Sequence, residues 1–348
     1  MFILAAVIRV IANLYLCNHS FRVMQQNKNI TIIGAGSIGT ALGNALSTRS
    51  DLNIQLLSIE TDVVSGISSS HFNQKYFPNI RLHPELKATA DPTVLQNSDI
   101  IFIGIPSSAV VGYVQEIKAF VPENAILVNL AKGFGKHKKV IALCLQDHLP
   151  NPTCALKGPS FAREIINNVP TALTLASKNL EILESVAPIF DGTTIYIDKT
   201  TDLAGVEILS ILKNIYAIII GIVDAHFHSP NLRFFIFTRA FNEMRNILLH
   251  FGGREETMFN YCGIGDFGLT ALNDMSRNHT LGLLIGKGFF TDEISGKVVL
   301  EGRIAADIFI EELSRTGLPK EKYLMMKELQ EVMLNKKSVT DFVNSIIA

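Results

Sequence analysis

The amino-acid sequence predicts two domains: an α/β domain with a mostly parallel sheet, followed by an all-α domain. Three observations carry this prediction. Short apolar runs such as Ile30–Ile33 and Ile100–Ile105 alternate with helical segments up to about residue 200, as expected of parallel strands covered by helices on both faces. From Leu203 onwards, apolar residues recur at helical spacing and no run is typical of a strand. The length of 348 residues also exceeds what a single hydrophobic core usually supports.

The strands of the first domain are predicted from apolar or β-branched runs that end near residues unfavourable to strands, such as glycine and proline. They cover Ile30–Ile33, Asn53–Ser58, Ile100–Ile105, Ala125–Leu130, Thr153–Leu156, Thr171–Leu175 and Thr194–Ile197. Helices of the second domain are predicted at Leu203–Val223, Arg239–Phe251, Glu321–Leu334 and Val339–Ile347. We therefore place the two domains at residues 28–200 and 201–348.

Residues 1–27 precede the first predicted strand and begin with a largely apolar stretch. Arg9 lies inside this stretch rather than before it, and no small-x-small cleavage site follows, in contrast to a secretory signal peptide. The stretch is also shorter than the roughly 20 residues of a membrane-spanning helix. We expect a non-catalytic extension, and membrane contact through residues 1–27 is the less favoured alternative.

Composition and charge indicate a globular protein that does not bind nucleic acid. Hydrophobic residues make up 48% of the chain and charged residues 18%, enough for a large core. The 31 basic and 32 acidic side chains nearly cancel, so no overall basic surface is available for a polyanion. The four cysteines lack any metal-binding spacing. We expect them to be reduced thiols in a cytoplasmic protein without a metal site.

The motif Gly34–Gly39, with the sequence GAGSIG, directly follows the first strand and begins a helix. In such a GxGxxG motif, Gly34 permits a tight turn, Gly36 lets the backbone approach a pyrophosphate, and Gly39 lets the helix pack close to the strand. The helix N-terminus then faces the negative charge of the pyrophosphate. This placement predicts a Rossmann-type domain that binds a nicotinamide dinucleotide.

Glu60 follows the second predicted strand, 21 residues beyond Gly39. An acid at this position would accept hydrogen bonds from the adenosine ribose and repel a 2′-phosphate. No arginine or lysine occurs between Asp51 and Ser70 to bind such a phosphate. The cofactor is therefore NAD or NADP, with NAD favoured. A solvated Glu60, with Ser58 as the actual contact, remains the alternative.

Polar residues that follow strands are further candidates, because ligands of open α/β sheets bind beyond the carboxyl ends of the strands. Pro106 and Ser107 end one strand, where we expect them to line the nicotinamide side. Lys132 ends the next strand and is placed to meet a carbonyl oxygen or a phosphate. Gly158 and Ser160 belong to an irregular segment in which Ser160 is predicted to cap the following helix.

Lys213 interrupts the helix Leu203–Val223, which is apolar on nearly every side. A lysine in such a helix either extends to the surface or serves chemistry with a lowered pKa, and the sequence leaves both open. Carbonyl reduction needs a proton donor beside the hydride acceptor, for which Lys213 is the candidate. Asp266 is the candidate to orient either Lys213 or a substrate hydroxyl. Arg277 and Asn278 offer a guanidinium and an amide to a phosphate.

Taken together and in this order, these blocks resemble bacterial-type glycerol-3-phosphate dehydrogenases from about Lys28 to about Leu334. The resemblance implies reversible hydride transfer between NAD(P)H and C2 of dihydroxyacetone phosphate, giving sn-glycerol 3-phosphate for glycerophospholipid synthesis. It rests on Gly34–Gly39, Lys132-Gly133, Gly158-Pro159-Ser160-Phe161-Ala162-x-Glu164, Leu212-Lys213-Asn214, Thr238-Arg239, Gly265-Asp266 and Ser276-Arg277-Asn278.

The matching positions imply roles residue by residue. Lys213 would transfer the proton, with Lys132 and Asp266 as the other catalytic residues. The substrate contacts implied are Lys132, Gly158, Ser160, Lys213, Asp266, Ser276, Arg277 and Asn278. Besides the glycine motif, Glu60 and Pro106, the cofactor contacts implied are Ser37, Ile38, Lys132, Ala162, Arg277, Val299 and Glu301.

The sequence departs from the family pattern at Ile38, where an aromatic residue is usual, and lacks the basic residue often found after the second strand. We expect a homodimer acting on a small molecule. Two other readings remain open: another two-domain dehydrogenase of hydroxyacid or opine type, and a non-catalytic dinucleotide sensor. A comparison of activity on dihydroxyacetone phosphate and on unphosphorylated ketones distinguishes a hydroxyacid or opine-type dehydrogenase. Any turnover of substrate excludes a non-catalytic sensor.

Overall fold

The computed structural model of the protein describes residues 27–135, 138–289 and 296–348, with the side chains of 296–301 outside that description. The extension predicted at residues 1–27 therefore lies outside the described residues, except for Asn27. The cofactor contacts expected of the Val299 and Glu301 side chains also lie outside them.

The first half of the chain is built on an eight-stranded sheet and a separate two-stranded hairpin. The strands are β1 (Lys28–Ile33), β2 (Leu52–Leu57), β3 (Phe72–Asn73), β4 (Phe77–Arg81), β5 (Lys87–Thr89), β6 (Ile100–Ile103), β7 (Ile126–Asn129), β8 (Thr153–Lys157), β9 (Thr171–Ala176) and β10 (Ile195–Thr200). The sheet order is β10-β9-β8-β7-β6-β1-β2-β5, and β3 pairs with β4.

The strand pairings confirm a mostly parallel sheet, with the β8–β9 pair antiparallel. Ile33 pairs with both Leu57 and Ile103, and Ile103 pairs with Asn129. The carboxyl ends of β2, β1, β6 and β7 are therefore level with one another. The loops that carry the glycine motif, Pro106 and Lys132 leave the sheet along this single edge.

Helices cover both faces of the sheet. Adjacent residues of a strand point to opposite faces, and apolar side chains on both faces need to be buried. In β1, Ile32 belongs to one buried apolar cluster and Ile33 to another. The helices of this half are α1 (Ser37–Leu46), α2 (Thr61–Ser70), α3 (Ser107–Ile117), α4 (Ile141–His148), α5 (Ala162–Ile166) and α6 (Leu180–Val186). The hairpin β3–β4 and strand β5 were not predicted, since they are short and largely polar.

The second half is helical throughout its described residues, and its helices pack around one central helix. They are α7 (Leu203–His226), α8 (Pro230–His250), α9 (Asp266–Ala271), α10 (Arg277–Gly286), α11 (Gly296–Thr316), α12 (Leu324–Met333) and α13 (Val339–Ile347). Helix α7 is long and apolar enough to cross a membrane, but 94% of its most apolar stretch is buried within the protein. It is the core helix of this half.

One predicted helix of the helical half was wrong in extent, and others were missed. The helix predicted to begin at Arg239 begins at Pro230, where Ser229 Oγ accepts a hydrogen bond from Leu232 N. This serine and proline are the usual signals of a helix start. Helices α9, α10 and α11 were not predicted from the sequence.

Helix α10 crosses α7 at a point where both helices carry glycine. A Cβ on Gly221 would lie 2.2 Å from His279 O, and a Cβ on Gly282 would lie 2.1 Å from Ile218 O. Such distances exclude any side chain at either position. The close crossing fixes α10, whose N-terminus bears Arg277 and Asn278, against the C-terminal half of α7.

Candidate active site

The glycine loop between β1 and α1 has the conformation that its sequence predicts. Gly34 has φ +104°, and a Cβ on Gly39 would lie 1.9 Å from Gly34 O, so neither position accepts a side chain. A Cβ on Gly36 would meet no atom within 4 Å. The open space beside Gly36 lies at the N-terminus of α1, where backbone N–H groups of a helix are able to bind an anion. These residues fit a dinucleotide pyrophosphate.

The other expected cofactor residues surround this loop. Ser37 and Ile38 form the first turn of α1, and Ala162 begins α5, which packs against α1. Pro106 immediately precedes α3 at the carboxyl end of β6. The structure thus brings together Gly34, Gly36, Gly39, Ser37, Ile38, Pro106 and Ala162 around one end of the sheet.

Glu60 follows β2 as expected, but it has a basic neighbour that the sequence did not reveal. Lys75 Nζ forms an ion pair with the Glu60 carboxylate, and Tyr76 Oη donates to Glu60 Oε2 at 3.2 Å. Lys75 comes from the unpredicted hairpin rather than from the segment after β2. The expectation that no basic residue is available at this position was therefore incomplete.

A buried carboxylate joins the two candidate lysines across the two halves of the chain. Lys213 Nζ on α7 donates to Asp266 Oδ1 at 2.6 Å and to Thr270 Oγ1 at 2.7 Å. Lys132 Nζ, beyond the carboxyl end of β7, donates to Asp266 Oδ2 at 3.0 Å. Lys213 therefore does not extend into solvent. Through Asp266, its ammonium is linked to Lys132, which lies at the same edge of the sheet as the glycine loop.

The electrostatic balance at this site favours an exchangeable proton on Lys213. Burial lowers the pKa of Lys213 to about 7, because the cost of desolvating its ammonium outweighs the attraction of Asp266. The positive charge of Lys132 contributes to this lowered pKa. A lysine with a pKa near neutrality can both donate and accept a proton, as general acid–base catalysis requires.

Gly158 and Ser160 lie beside Lys132, as expected of one site. Gly158 O accepts hydrogen bonds from Lys132 Nζ at 3.4 Å and from Ser160 Oγ at 3.0 Å. The expectation that Ser160 caps the next helix was wrong. Phe161 occupies the N-cap position of α5, and no side chain caps that helix. The Ser160 hydroxyl instead closes a local turn onto Gly158.

Beneath Lys132 lies a second buried ion pair that the sequence did not reveal. Lys157 Nζ is 3.3 Å from Glu207 Oε1, and both side chains are almost completely buried. Lys157 Nζ also donates to the backbone oxygens of Asn129 and Ala131, which immediately precede Lys132. A lysine at a strand end is usually solvated, and the partner Glu207 comes from α7. No local pattern could therefore have identified this pair.

A cavity of about 390 Å³ opens between the two halves next to these groups. It is lined by the start of α3, the loop after β7, the middle of α7, Asn278 and α11. Lys132 contributes the cationic side chain at its wall. A space of this size, with Lys132 as the cation among its described lining residues and few polar groups, suits a small anionic ligand.

The polar residues at the start of α10 have distinct positions. Asn278 lines the cavity, whereas Ser276 Oγ is buried and accepts from His279 N at 3.3 Å as the cap of α10. The Arg277 side chain is exposed, and no hydrogen bond or ion pair joins it to the described residues. Its guanidinium is therefore available to a ligand.

Two family models match consecutive parts of this chain. The model described as the N-terminus of NAD-dependent glycerol-3-phosphate dehydrogenase matches residues 29–183, and the corresponding C-terminus model matches residues 202–344. The chain belongs to the NAD-dependent glycerol-3-phosphate dehydrogenase family. The resemblance drawn from the sequence motifs is thereby confirmed.

Individual members of the family are similar over most of their length. Glycerol-3-phosphate dehydrogenase [NAD(P)+] of Halothermothrix orenii is 31% identical over 91% of this chain and 94% of that protein. The protein of the same name from Mesoplasma florum is 35% identical over 73% of this chain and 78% of its own. A crystal structure of glycerol-3-phosphate dehydrogenase from Coxiella burnetii superposes with a TM-score of 0.83 at 28% identity, covering 92% of this chain and 99% of that one.

Proposed function

We propose that this chain catalyses the reversible NAD(P)H-dependent reduction of dihydroxyacetone phosphate to sn-glycerol 3-phosphate, which supplies glycerophospholipid synthesis. The observation that carries the proposal is the carboxylate of Asp266, which holds Lys213 and Lys132 together beside the edge of the dinucleotide fold. The family assignment supports the same reaction.

Each group has a defined task in this reaction. A bound nicotinamide supplies or accepts the hydride. Lys213 donates a proton to the ketone oxygen, and the Lys132 ammonium offsets the negative charge that develops there. Asp266 fixes both ammonium groups, so that little reorganisation is needed during the reaction. Holding the ketone carbon beside the nicotinamide contributes up to roughly 7–11 kcal/mol through orientation.

Arg277 and Asn278 bind the substrate phosphate in this proposal. Arg277→Ala is expected to raise the KM for dihydroxyacetone phosphate by about 10–100-fold, which corresponds to losing one hydrogen bond to a charged group. The dissociation constant of the dinucleotide should change far less. Steady-state kinetics and fluorescence titration measure the two effects. Arg315→Ala, at an exposed arginine paired with Glu312, is the matched control, and an unchanged KM in Arg277→Ala excludes the phosphate role.

The pH dependence should differ in sign between the two directions of the reaction. Ketone reduction needs the protonated lysine, so kcat/KM for reduction is expected to fall as the pH rises through about 7, the lowered pKa of Lys213. Oxidation of glycerol 3-phosphate needs the neutral lysine and should become faster over the same range. Initial rates at about pH 6 to about pH 9 measure both profiles. Flat profiles in both directions would argue against Lys213 as the group that titrates.

A comparison of ketones tests the substrate class. Dihydroxyacetone phosphate should be reduced with a far higher kcat/KM than dihydroxyacetone, because in this proposal Arg277 and Asn278 bind its phosphate. A 2-keto acid serves as the probe for a hydroxyacid or opine-type dehydrogenase. Preferred turnover of the keto acid would replace the proposed substrate, and an absence of turnover with all three would favour a dinucleotide sensor.

We further propose a cytoplasmic homodimer that favours NAD, with a non-catalytic segment at residues 1–27. Cys154 and Cys262 carry buried thiols that form no disulfide, which supports a reducing location. Light scattering of the full chain measures its mass in solution and tests the homodimer.

Cell fractionation of the full chain, compared with a variant lacking residues 2–27, tests whether this segment contacts a membrane.

A further inference from the structure

A cation lies at the end of the dinucleotide fold where the local sequence supplies only an acid. Lys75 is paired with Glu60, the residue that follows β2 and faces the adenosine ribose in a Rossmann-type domain. The Lys75 side chain is 51% exposed and that of Glu60 is 27% exposed. Both charges are therefore accessible to a ligand.

The position of Lys75 is fixed by the hairpin that carries it. Asn73 is fully buried, and its Nδ2 donates to Ala35 O and to Thr40 Oγ1, each at 2.9 Å. Ala35 belongs to the glycine loop and Thr40 to the helix that follows it. The hairpin is thus hydrogen-bonded to the pyrophosphate-binding loop, and Lys75 lies two residues further along, on the side of Glu60.

We propose that Lys75 is a specificity-determining residue that binds the 2′-phosphate of NADP by exchanging its ion pair with Glu60 for one with the phosphate. This inference rests on the proposed dinucleotide-dependent function. With NAD, Lys75 stays on Glu60, whose carboxylate accepts from the ribose hydroxyls. With NADP, Lys75 turns towards the phosphate, while the Tyr76 hydroxyl remains a donor to Glu60.

The energetics of the exchange permit both cofactors. An exposed ion pair contributes only about 0–1 kcal/mol, so breaking the Lys75–Glu60 pair costs little. A phosphate carries more negative charge than a carboxylate and offers more acceptor oxygens. Glu60 still repels that phosphate, which explains why NADP would be accepted without being preferred.

Binding of nucleotide fragments to the full chain tests the inference without any turnover. Adenosine 5′-phosphate and adenosine 2′,5′-bisphosphate differ only in the 2′-phosphate, and isothermal titration calorimetry gives their dissociation constants. Lys75→Gln is expected to weaken the bisphosphate by about tenfold and the monophosphate by less than about twofold. Glu60→Gln is expected to strengthen the bisphosphate, because it removes the repulsion.

Lys199→Gln is the matched control, since Lys199, on β10 at the opposite edge of the sheet, forms an exposed ion pair with Glu184 of α6. It should change neither constant. Equal effects of Lys75→Gln on the two nucleotides, or none, would overturn the role of Lys75 while leaving the proposed function intact. If the unmodified chain binds neither nucleotide, the dinucleotide function and this inference both fail.

Discussion

Lys213→Ala is expected to lower kcat for dihydroxyacetone phosphate reduction by at least about 10²–10³-fold, the usual effect of removing one charge-stabilising donor. The dinucleotide should still bind, because Lys213 is 4% exposed and its ammonium contacts Asp266 and Thr270 rather than the glycine loop. Asp266 keeps Lys132 as a cationic partner in the variant. The carboxylate is therefore not left without a counter-charge, and the fold should persist.

Stopped-flow turnover and dinucleotide fluorescence titration measure these two effects separately. Lys213→Met is the companion variant, because it keeps the aliphatic length in the buried helix and removes only the ammonium. Melting temperature shows whether either variant is folded. Turnover near that of the unmodified protein in a folded Lys213→Met variant would exclude Lys213 as the proton donor.

Glu207→Gln is expected to reduce the free energy of unfolding by about 3–5 kcal/mol, because it leaves the Lys157 ammonium buried without an anion. Burial already lowers the pKa of Lys157, and Glu207 is the main group opposing that shift. Lys157 can instead lose its proton, which at pH 7 limits the penalty to about 4–5 kcal/mol for an ordinary lysine pKa of about 10.4. Proton loss is the less costly response, so we expect Lys157 to be neutral in the folded variant, and the penalty is a large part of the stability of a typical domain.

The sign of the pH dependence distinguishes this cause from simple loss of packing. In Glu207→Gln the unfolded chain binds one more proton at Lys157 than the folded chain does, so stability rises with pH up to about 10.4. The deficit measured by urea unfolding should therefore shrink between about pH 7 and about pH 9. The double variant Lys157→Met/Glu207→Gln should recover most of the loss. A deficit that is independent of pH, or a double variant worse than Glu207→Gln, would contradict the buried-charge account.

The sequence could predict the groups whose role follows from their position in one element. Lys132 ends a parallel strand, Lys213 interrupts an apolar helix, and the glycine motif follows the first strand, so each has a local signal. The fold class followed from the same alternation of strands and helices. The start of α8 had a local signal as well, in Ser229 and Pro230.

The groups that sequence reasoning missed depend on contacts between distant elements. Lys157 is buried as an ion pair only because Glu207, on helix α7, approaches it. Lys75 reaches Glu60 because Asn73 fixes a hairpin too short to show alternation. Such pairs are set by tertiary packing, which propensity and periodicity do not encode.

The most direct test of the central claim is a crystal structure of the protein with NAD and sn-glycerol 3-phosphate. The account predicts Lys213 Nζ within about 2.6–3.2 Å of the C2 oxygen, still bonded to Asp266, with the phosphate at Arg277 and Asn278. A C2 oxygen bound elsewhere, with Lys213 buried away from it, would contradict the account.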